Sequence, residues 1–240
     1  MSPQPDPYTA VAAAYDAEFD HAEVDCAGYT TRSQAGSVLV LGCGTGRVCR
    51  ALASAHRVAG LDVSAAMIAR ATARGPGAID YQVGDMRHFR VGAFDQIIIP
   101  NGSFAFLASR ADRASCLRSC RAASSGPLSL DLPMPDFALW GNPHTPEREA
   151  WRGHVDGVEV VRTREVFRQP VAGTLRLIDR YYVGADCIVS DLVLHLPAPA
   201  EVEWMLEANG YYADALYGDH RGGSIREGCD RLLVVARPLL

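Results

Sequence analysis

Residues 38–46 read Val-Leu-Val-Leu-Gly-Cys-Gly-Thr-Gly, a short apolar run that meets a glycine-dense turn, followed by a helix-like stretch over 47–55. Glycines at 42, 44 and 46 allow a sharp bend and let a ligand lie against bare peptide. The helix behind them directs its free N–H groups and positive dipole end at that ligand. A strand, turn and helix in this order bind a nucleotide-like molecule. The dinucleotide fingerprint Gly-x-Gly-x-x-Gly would need a glycine at position 47, which is Arg47, so the spacing argues against NAD or FAD. Asp62 ends the next strand, 20 positions after Gly42. A carboxylate there can accept hydrogen bonds from both hydroxyls of a ribose; its other reading is a turn or helix-cap residue. A third strand, 79–83, ends in Gly84-Asp85-Met86-Arg87, where a carboxylate can accept from an adenine amino group and the Met86 amide can donate to a ring nitrogen. A fourth, 94–99, ends in Pro100-Asn101-Gly102-Ser103. Ligands of open α/β sheets bind at such carboxyl ends.

With these four segments in hand, the chain resembles the class I S-adenosylmethionine-dependent methyltransferases of the small-molecule type. The motifs are 38–46, 60–64, 84–87 and 94–103, and the similarity runs from about Tyr8 to the C-terminus. Together they are specific for the superfamily and not for any substrate. The resemblance implies that Gly42, Cys43, Gly44 and Gly46 cradle the methionine part of S-adenosylmethionine and that Asp62 holds its ribose. It further implies that Val63 and Met67 flank the adenine, that Asp85 and Met86 read its edge, and that the Pro100 carbonyl approaches the methionine ammonium. S-adenosylhomocysteine would be the product. Family members carry Asp or Glu two residues before the first glycine, where this chain has Val40. That acid helps organise the ammonium group, so its absence implies compensation elsewhere or altered cofactor use.

The elements that must position these residues follow from the rest of the chain. Its 240 residues suffice for one α/β domain with an elaboration, and 48% hydrophobic residues exclude a disordered chain. A net charge of −5 without a basic run argues against nucleic acid as a partner. No apolar run reaches the roughly 18 residues of a membrane span, and the Pro-rich residues 1–7, expected to be disordered, lack the features of a signal peptide. Seven cysteines without paired spacing suggest a reduced, cytoplasmic protein. Cys116 and Cys120 share a helix face and read as packing, so no metal site is expected.

Residues 8–19 predict an amphipathic helix with Tyr8, Val11, Tyr15 and Phe19 on one side. This is a packing stripe; by the resemblance it is also a lid, since Tyr15-Asp16-Ala17-Glu18-Phe19-Asp20 matches the family's cover over the cofactor. Tyr29 is a weaker candidate of the same kind. Strands at 38–41, 57–62, 79–83, 94–99 and 128–132 alternate with helices at 47–55, 64–74 and 110–123. The alternation predicts a doubly wound, seven-stranded, mostly parallel sheet, a Rossmann-like methyltransferase fold. Residues 149–155, 157–168, 173–183 and 187–196 predict an antiparallel β meander inserted into it. A helix at 199–209 and strands at 211–217 and 231–236 close the sheet, the last antiparallel by the resemblance. The division expected is a helical lid over 1–35, a core over 36–135 and 197–240, and an inserted sheet over 136–196 that covers the acceptor. Its exposed edge could pair two subunits.

For the acceptor itself, Asn101 and Ser103 follow the fourth strand, and Trp140 and His144 follow the fifth. Tyr181 or Tyr182 faces inward from the meander. An amine acceptor needs no dedicated base, whereas a hydroxyl usually does; His144, His154 and His195 are weak candidates for that role. The leading reading is therefore N-methylation of a small molecule by in-line displacement, with O- or C-methylation as the alternative. A non-methylating member of the fold, such as a cyclase, a nicotinamide oxidoreductase and a pure interaction module follow in that order.

Overall fold

A computed structural model of the protein describes residues 8, 11–19, 23–33, 36–75, 77–136 and 138–239. The expectations for residues 1–7, and for Asp20 in the lid pattern, lie outside them. The core strands are β1 (Ser37–Leu41), β2 (Arg57–Asp62), β3 (Asp80–Val83), β4 (Gln96–Ile99) and β5 (Leu128–Pro133), completed by β10 (Tyr211–Tyr217) and β11 (Arg231–Pro238). They lie in the order β10-β11-β5-β4-β1-β2-β3, and β11 runs antiparallel to both of its neighbours. The mostly parallel seven-stranded sheet is thus as the alternation predicts. β1 pairs with β2 on one side and β4 on the other. The winding reverses at that point, which opens a crevice at the carboxyl ends of the two strands.

β1 is buried along its whole length because helices cover both of its faces. Leu39 and Leu41, with Ile97, Ile99 and Leu130, pack on α5 (Arg110–Ala123) through Cys116, Leu117 and Cys120. Val38, Val40 and Ile98 pack on the other side against Val48, Cys49 and Leu52 of α3 (Arg47–Leu52) and Tyr29 of α2 (Glu23–Arg32). Val40 is fully buried in this apolar cluster, where an acid would be stripped of water. The Ser64 hydroxyl accepts from the Met67 N–H at 3.2 Å and starts α4 (Ala65–Arg74), the cap that its position suggests. No helix among the described residues is long and apolar enough to cross a membrane.

The meander is a separate antiparallel sheet of β6 (His144–Val155), β7 (Val158–Gln169), β8 (Thr174–Val183) and β9 (Asp186–His195), in that order. Asp156 and Gly157 both have positive φ, as a two-residue hairpin turn requires. β6 begins at His144, five residues ahead of the expected run at 149. Pro146 is tolerated within it because β6 is an edge strand whose register skips between Thr145 and Arg148, so the missing N–H costs no ladder bond.

The inner face of this sheet packs on α1 (Ala12–Phe19): Val160 and Tyr181 meet Val11 and Ala14. Arg162 on the same face pairs with Glu18 of α1 at 2.6 Å and Asp179 at 3.2 Å, and Arg164 shares Asp179 at 2.7 Å. On its other side α1 reaches the core, where Asp16 pairs with Arg70 at 2.8 Å and Arg74 at 2.7 Å. The outer face of the meander carries exposed pairs such as Arg176–Asp191. Asp179→Ala leaves two inner-face guanidiniums short of a carboxylate and should cost about 3–5 kcal/mol in urea unfolding. Asp191→Ala on the outer face should cost less than about 1 kcal/mol in the same measurement.

Candidate active site

The glycine turn leaves β1 at the point of strand reversal. Gly42 has φ +66°, and a Cβ there would stand 2.5 Å from the Cβ and Oγ of Ser103. The Ser103 hydroxyl donates to the Gly42 carbonyl at 3.2 Å, which presses the segment after β4 against the glycine turn. Gly44, at φ +55°, has nothing within 4 Å of where its Cβ would be, so bare backbone faces open room. Asp62 holds this arrangement. One carboxylate oxygen accepts from the Gly44 N–H at 2.8 Å and the other from the Ser64 N–H at 2.9 Å.

The other expected cofactor residues surround this clamp. Val63 is exposed at the end of β2, while Met67 is buried on α4. The Met86 methyl lies 3.3 Å from the Cβ position of Gly42. Cys43 is buried behind the turn, and the Pro100 carbonyl accepts from the Ser103 N–H at 3.0 Å. Asp85 accepts from the backbone N–H of Arg87 at 2.8 Å and from its guanidinium at 2.9 Å. Those side-chain bonds hold its carboxyl below the usual range against the effect of burial. From α1, burial pushes the Tyr15 phenol up to about 12, with Arg47 opposing and the nearby Asp62 adding to the shift. Tyr8 lies edge-on to Tyr15 at 6.3 Å and to Phe106 at 6.1 Å, so an aromatic cover adjoins the turn.

A second polar cluster stands next to the first. Arg47, the first residue of α3, forms two 2.5 Å hydrogen bonds with the Asp25 carboxylate of α2. Burial favours the neutral acid, but the Arg47 hydrogen bonds and charge outweigh it and hold Asp25 below the usual range. The Asn101 side-chain amide, oriented to suit its neighbours, donates to Asp25 at 3.1 Å and accepts from Arg47 at 2.9 Å. Its backbone N–H donates to Asp131 at 3.1 Å. Asp131 is fully buried at the end of β5. It accepts from the Tyr29 hydroxyl and from Arg231 at 3.1 Å, and His220 Nε2 lies 3.5 Å away. Of these residues the sequence singled out Asn101 and Tyr29. Asp25, Arg47, Asp131, His220 and Arg231 were missed; one signal was an acid between the leucines of the strand run 128–132.

Other expected residues lie elsewhere. His144 stacks on Phe167 at 4.6 Å and meets Glu165 at 2.9 Å on the outer face of the meander, with the sheet between it and α1. It therefore does not reach the glycine turn, and exposed His154 likewise lies on β6. His195 is buried at the end of β9 beside Glu201, at 3.4 Å. Burial and the Arg113 charge lower its pKa, so it stays neutral inside a packed junction. Trp140 sits in the turn before β6. Tyr181 faces α1 rather than a cavity, with its phenol raised by burial.

Residues 38–124 match the family model described as a methyltransferase domain. Over these residues the chain is similar to a methyltransferase domain. The fold extends the likeness over nearly the whole length. The CcbJ methyltransferase from Streptomyces caelestis superposes with a TM-score of 0.80 at 19% identity, covering 96% of each chain. CalS10, an amino pentose methyltransferase from Micromonospora echinaspora solved with S-adenosylmethionine, gives 0.72 at 24%, covering 95% of this chain and 96% of its own. The sugar N-methyltransferase KedS8 from Streptoalloteichus gives 0.71 at 23%, covering 96% and 88%. No curated protein sequence matches significantly. The resemblance drawn from the four motifs thus agrees with the family model over residues 38–124 and with the fold that the chain shares with these methyltransferases. Tyr29→Phe removes a hydroxyl that donates to buried Asp131 and should lower unfolding stability by about 1.5–3 kcal/mol, read by urea titration.

Proposed function

We propose that this enzyme transfers a methyl group from S-adenosylmethionine to a nitrogen of a small molecule. The observation that carries the reading is the clamp of Asp62 on the bare backbone of Gly44, at the reversal of the sheet and beside the tyrosines of α1. The residues fit the cofactor. Gly42, Cys43, Gly44 and Gly46 would hold its methionine part, with the Pro100 carbonyl toward the ammonium. Asp62 would hold the ribose, Val63 and Met67 would flank the adenine, Asp85 and Met86 would read its edge, and Tyr15 would cover it. When bound, the cofactor supplies a methyl group on a positively charged sulfur and leaves as S-adenosylhomocysteine.

The chain's own part is positioning. Tyr8 and Tyr15 limit water at the turn, which protects a reaction that needs only alignment and a free lone pair on the acceptor. An amine provides that lone pair after losing one proton, so no histidine base is called for. A sugar N-methyltransferase and an amino pentose methyltransferase among the similar folds support nitrogen as the target. The reading includes a small-molecule acceptor, no nucleic-acid or membrane partner, a cytoplasmic location and a homodimer through the inserted sheet, which light scattering checks.

Titration of S-adenosylhomocysteine into the protein should give micromolar binding. Asp62→Ala, which loses the acceptors for the ribose and for the turn, should weaken it at least about tenfold. Release of S-adenosylhomocysteine should accompany methylation of amines in an acceptor panel. Release with hydroxyl acceptors alone would favour O-methylation. Binding without release from any acceptor would favour a non-methylating member of the fold.

A further inference from the structure

A cavity of about 400 Å³ opens between α2 and the loop that joins β10 to β11, lined by Asp25, Asp219, His220, Arg221, Asp230 and Arg231 with Gly218. Its size lies at the lower end of small-molecule sites, roughly 300–1,000 Å³. No residue expected from the sequence to bind the acceptor lines it. Every side chain of the lining is ionisable. An apolar ligand would leave these groups dry and unmatched. A ligand rich in donors and acceptors would replace the water they lose.

The sign of the charge is set by what stands behind the wall. Arg231 is already answered by Asp131 at 3.1 Å, and Asp25 by Arg47. Asp219 accepts from the backbone N–H groups of Arg221 at 2.8 Å and Gly223 at 2.9 Å, bonds that shape the loop without neutralising the charge. Asp230 adds a further exposed carboxylate. With Arg231 and Arg47 each matched by a carboxylate, Asp219 and Asp230 stand against Arg221 alone while the His220 imidazole beside Asp131 is neutral, so the cavity then favours a cation. Its position joins the two clusters of the site. Asp25 is held by Arg47, which follows Gly46 of the cofactor turn directly, and Asn101 binds both.

We propose that this cavity is the acceptor site and takes an amine on a hydroxylated ring of monosaccharide size, its ammonium at Asp25 and its hydroxyls at Arg231, Asp219 and Asp230. The assignment rests on the methyl-transfer reading. The bound ammonium gives one proton to water in the open cavity. The nitrogen lone pair then forms the new N–C bond as the C–S bond breaks, and sulfur keeps that electron pair. The product leaves as a methylated ammonium, so charge and atoms balance without another reactant.

The test uses the full-length protein with S-adenosylhomocysteine added and three probes: glucosamine, glucose and cyclohexylamine. Saturation-transfer NMR at about 10 mM reads fragment-strength binding. Glucosamine should give the strongest transfer, because it alone carries both the amine and the hydroxyls. Asp25→Asn should weaken its binding at least about tenfold, the weight of one charge-assisted hydrogen bond. Asp25 also anchors Arg47, so a second variant is needed. Asp230→Arg alters an exposed side chain and should abolish the glucosamine signal while S-adenosylhomocysteine titrates as in the parent protein. Equal transfer from cyclohexylamine or glucose, no transfer from glucosamine, or unchanged transfer in Asp230→Arg overturns the acceptor assignment and leaves the methyl-transfer reading standing. Failure of S-adenosylhomocysteine to bind the parent protein overturns that reading, and the acceptor assignment with it.

Discussion

A carboxylate wholly withdrawn from water must be met by donors, or its burial costs more than a small domain can bear. Asp131 imposes that condition at the carboxyl end of β5. The strand alternates, so Leu128, Leu130 and Leu132 turn toward α5 while Ser129 and Asp131 turn toward α2. Four separate segments meet the charge: Tyr29 from α2, the Asn101 amide after β4, His220 from the last loop and Arg231 from β11. None of these is close to Asp131 in sequence. Their convergence fixes the height of α2 over the sheet and the left-handed backbone of Asn101, and through these the place of Asp25 beside Arg47.

This geometry explains which parts of the site could be read in the sequence. The glycine turn, Asp62 and the strand ends are local: each lies in or beside an element whose period and punctuation declare it. Ser64 follows the same logic, since a hydroxyl just ahead of a helix has one obvious partner. The Asp131 cluster is not local. Asp131 sits within a strand, Arg231 opens another, and His220 lies in a loop without a motif, so only the folded sheet brings them together. His144 failed for the opposite reason. Its place after the fifth strand suggested the crevice, but the chain there enters an edge strand, and the parity of that strand turns the imidazole to the outer face. Tyr181 was rightly sent inward, yet inward is toward α1 and not toward a ligand. For Val40, the family pattern asks for a charge where this sheet offers only Val48, Cys49 and Tyr29 as company.

The inserted sheet shows how a polar strand set can pack on a helix without a large apolar core. Its inner face has one small hydrophobic cluster with α1, and the remaining contact there is ionic, through Arg162, Arg164, Glu18 and Asp179. Buried pairs of this kind add little net stability but tolerate few alternative arrangements, so they set register more than strength. The outer face repeats charge pairing in the open, where it mainly keeps the surface wet.

The two sides of α1 are held unequally. Toward the meander it has side chains that exclude water together with an ion pair shielded from solvent. Toward α4 it relies on Asp16 and two arginines that are themselves about a third exposed. Salt and water weaken the second contact far more than the first. The seam at α4 is therefore the weaker of the two, and α1 with the inserted sheet makes one leaf whose spine lies on the side away from α4.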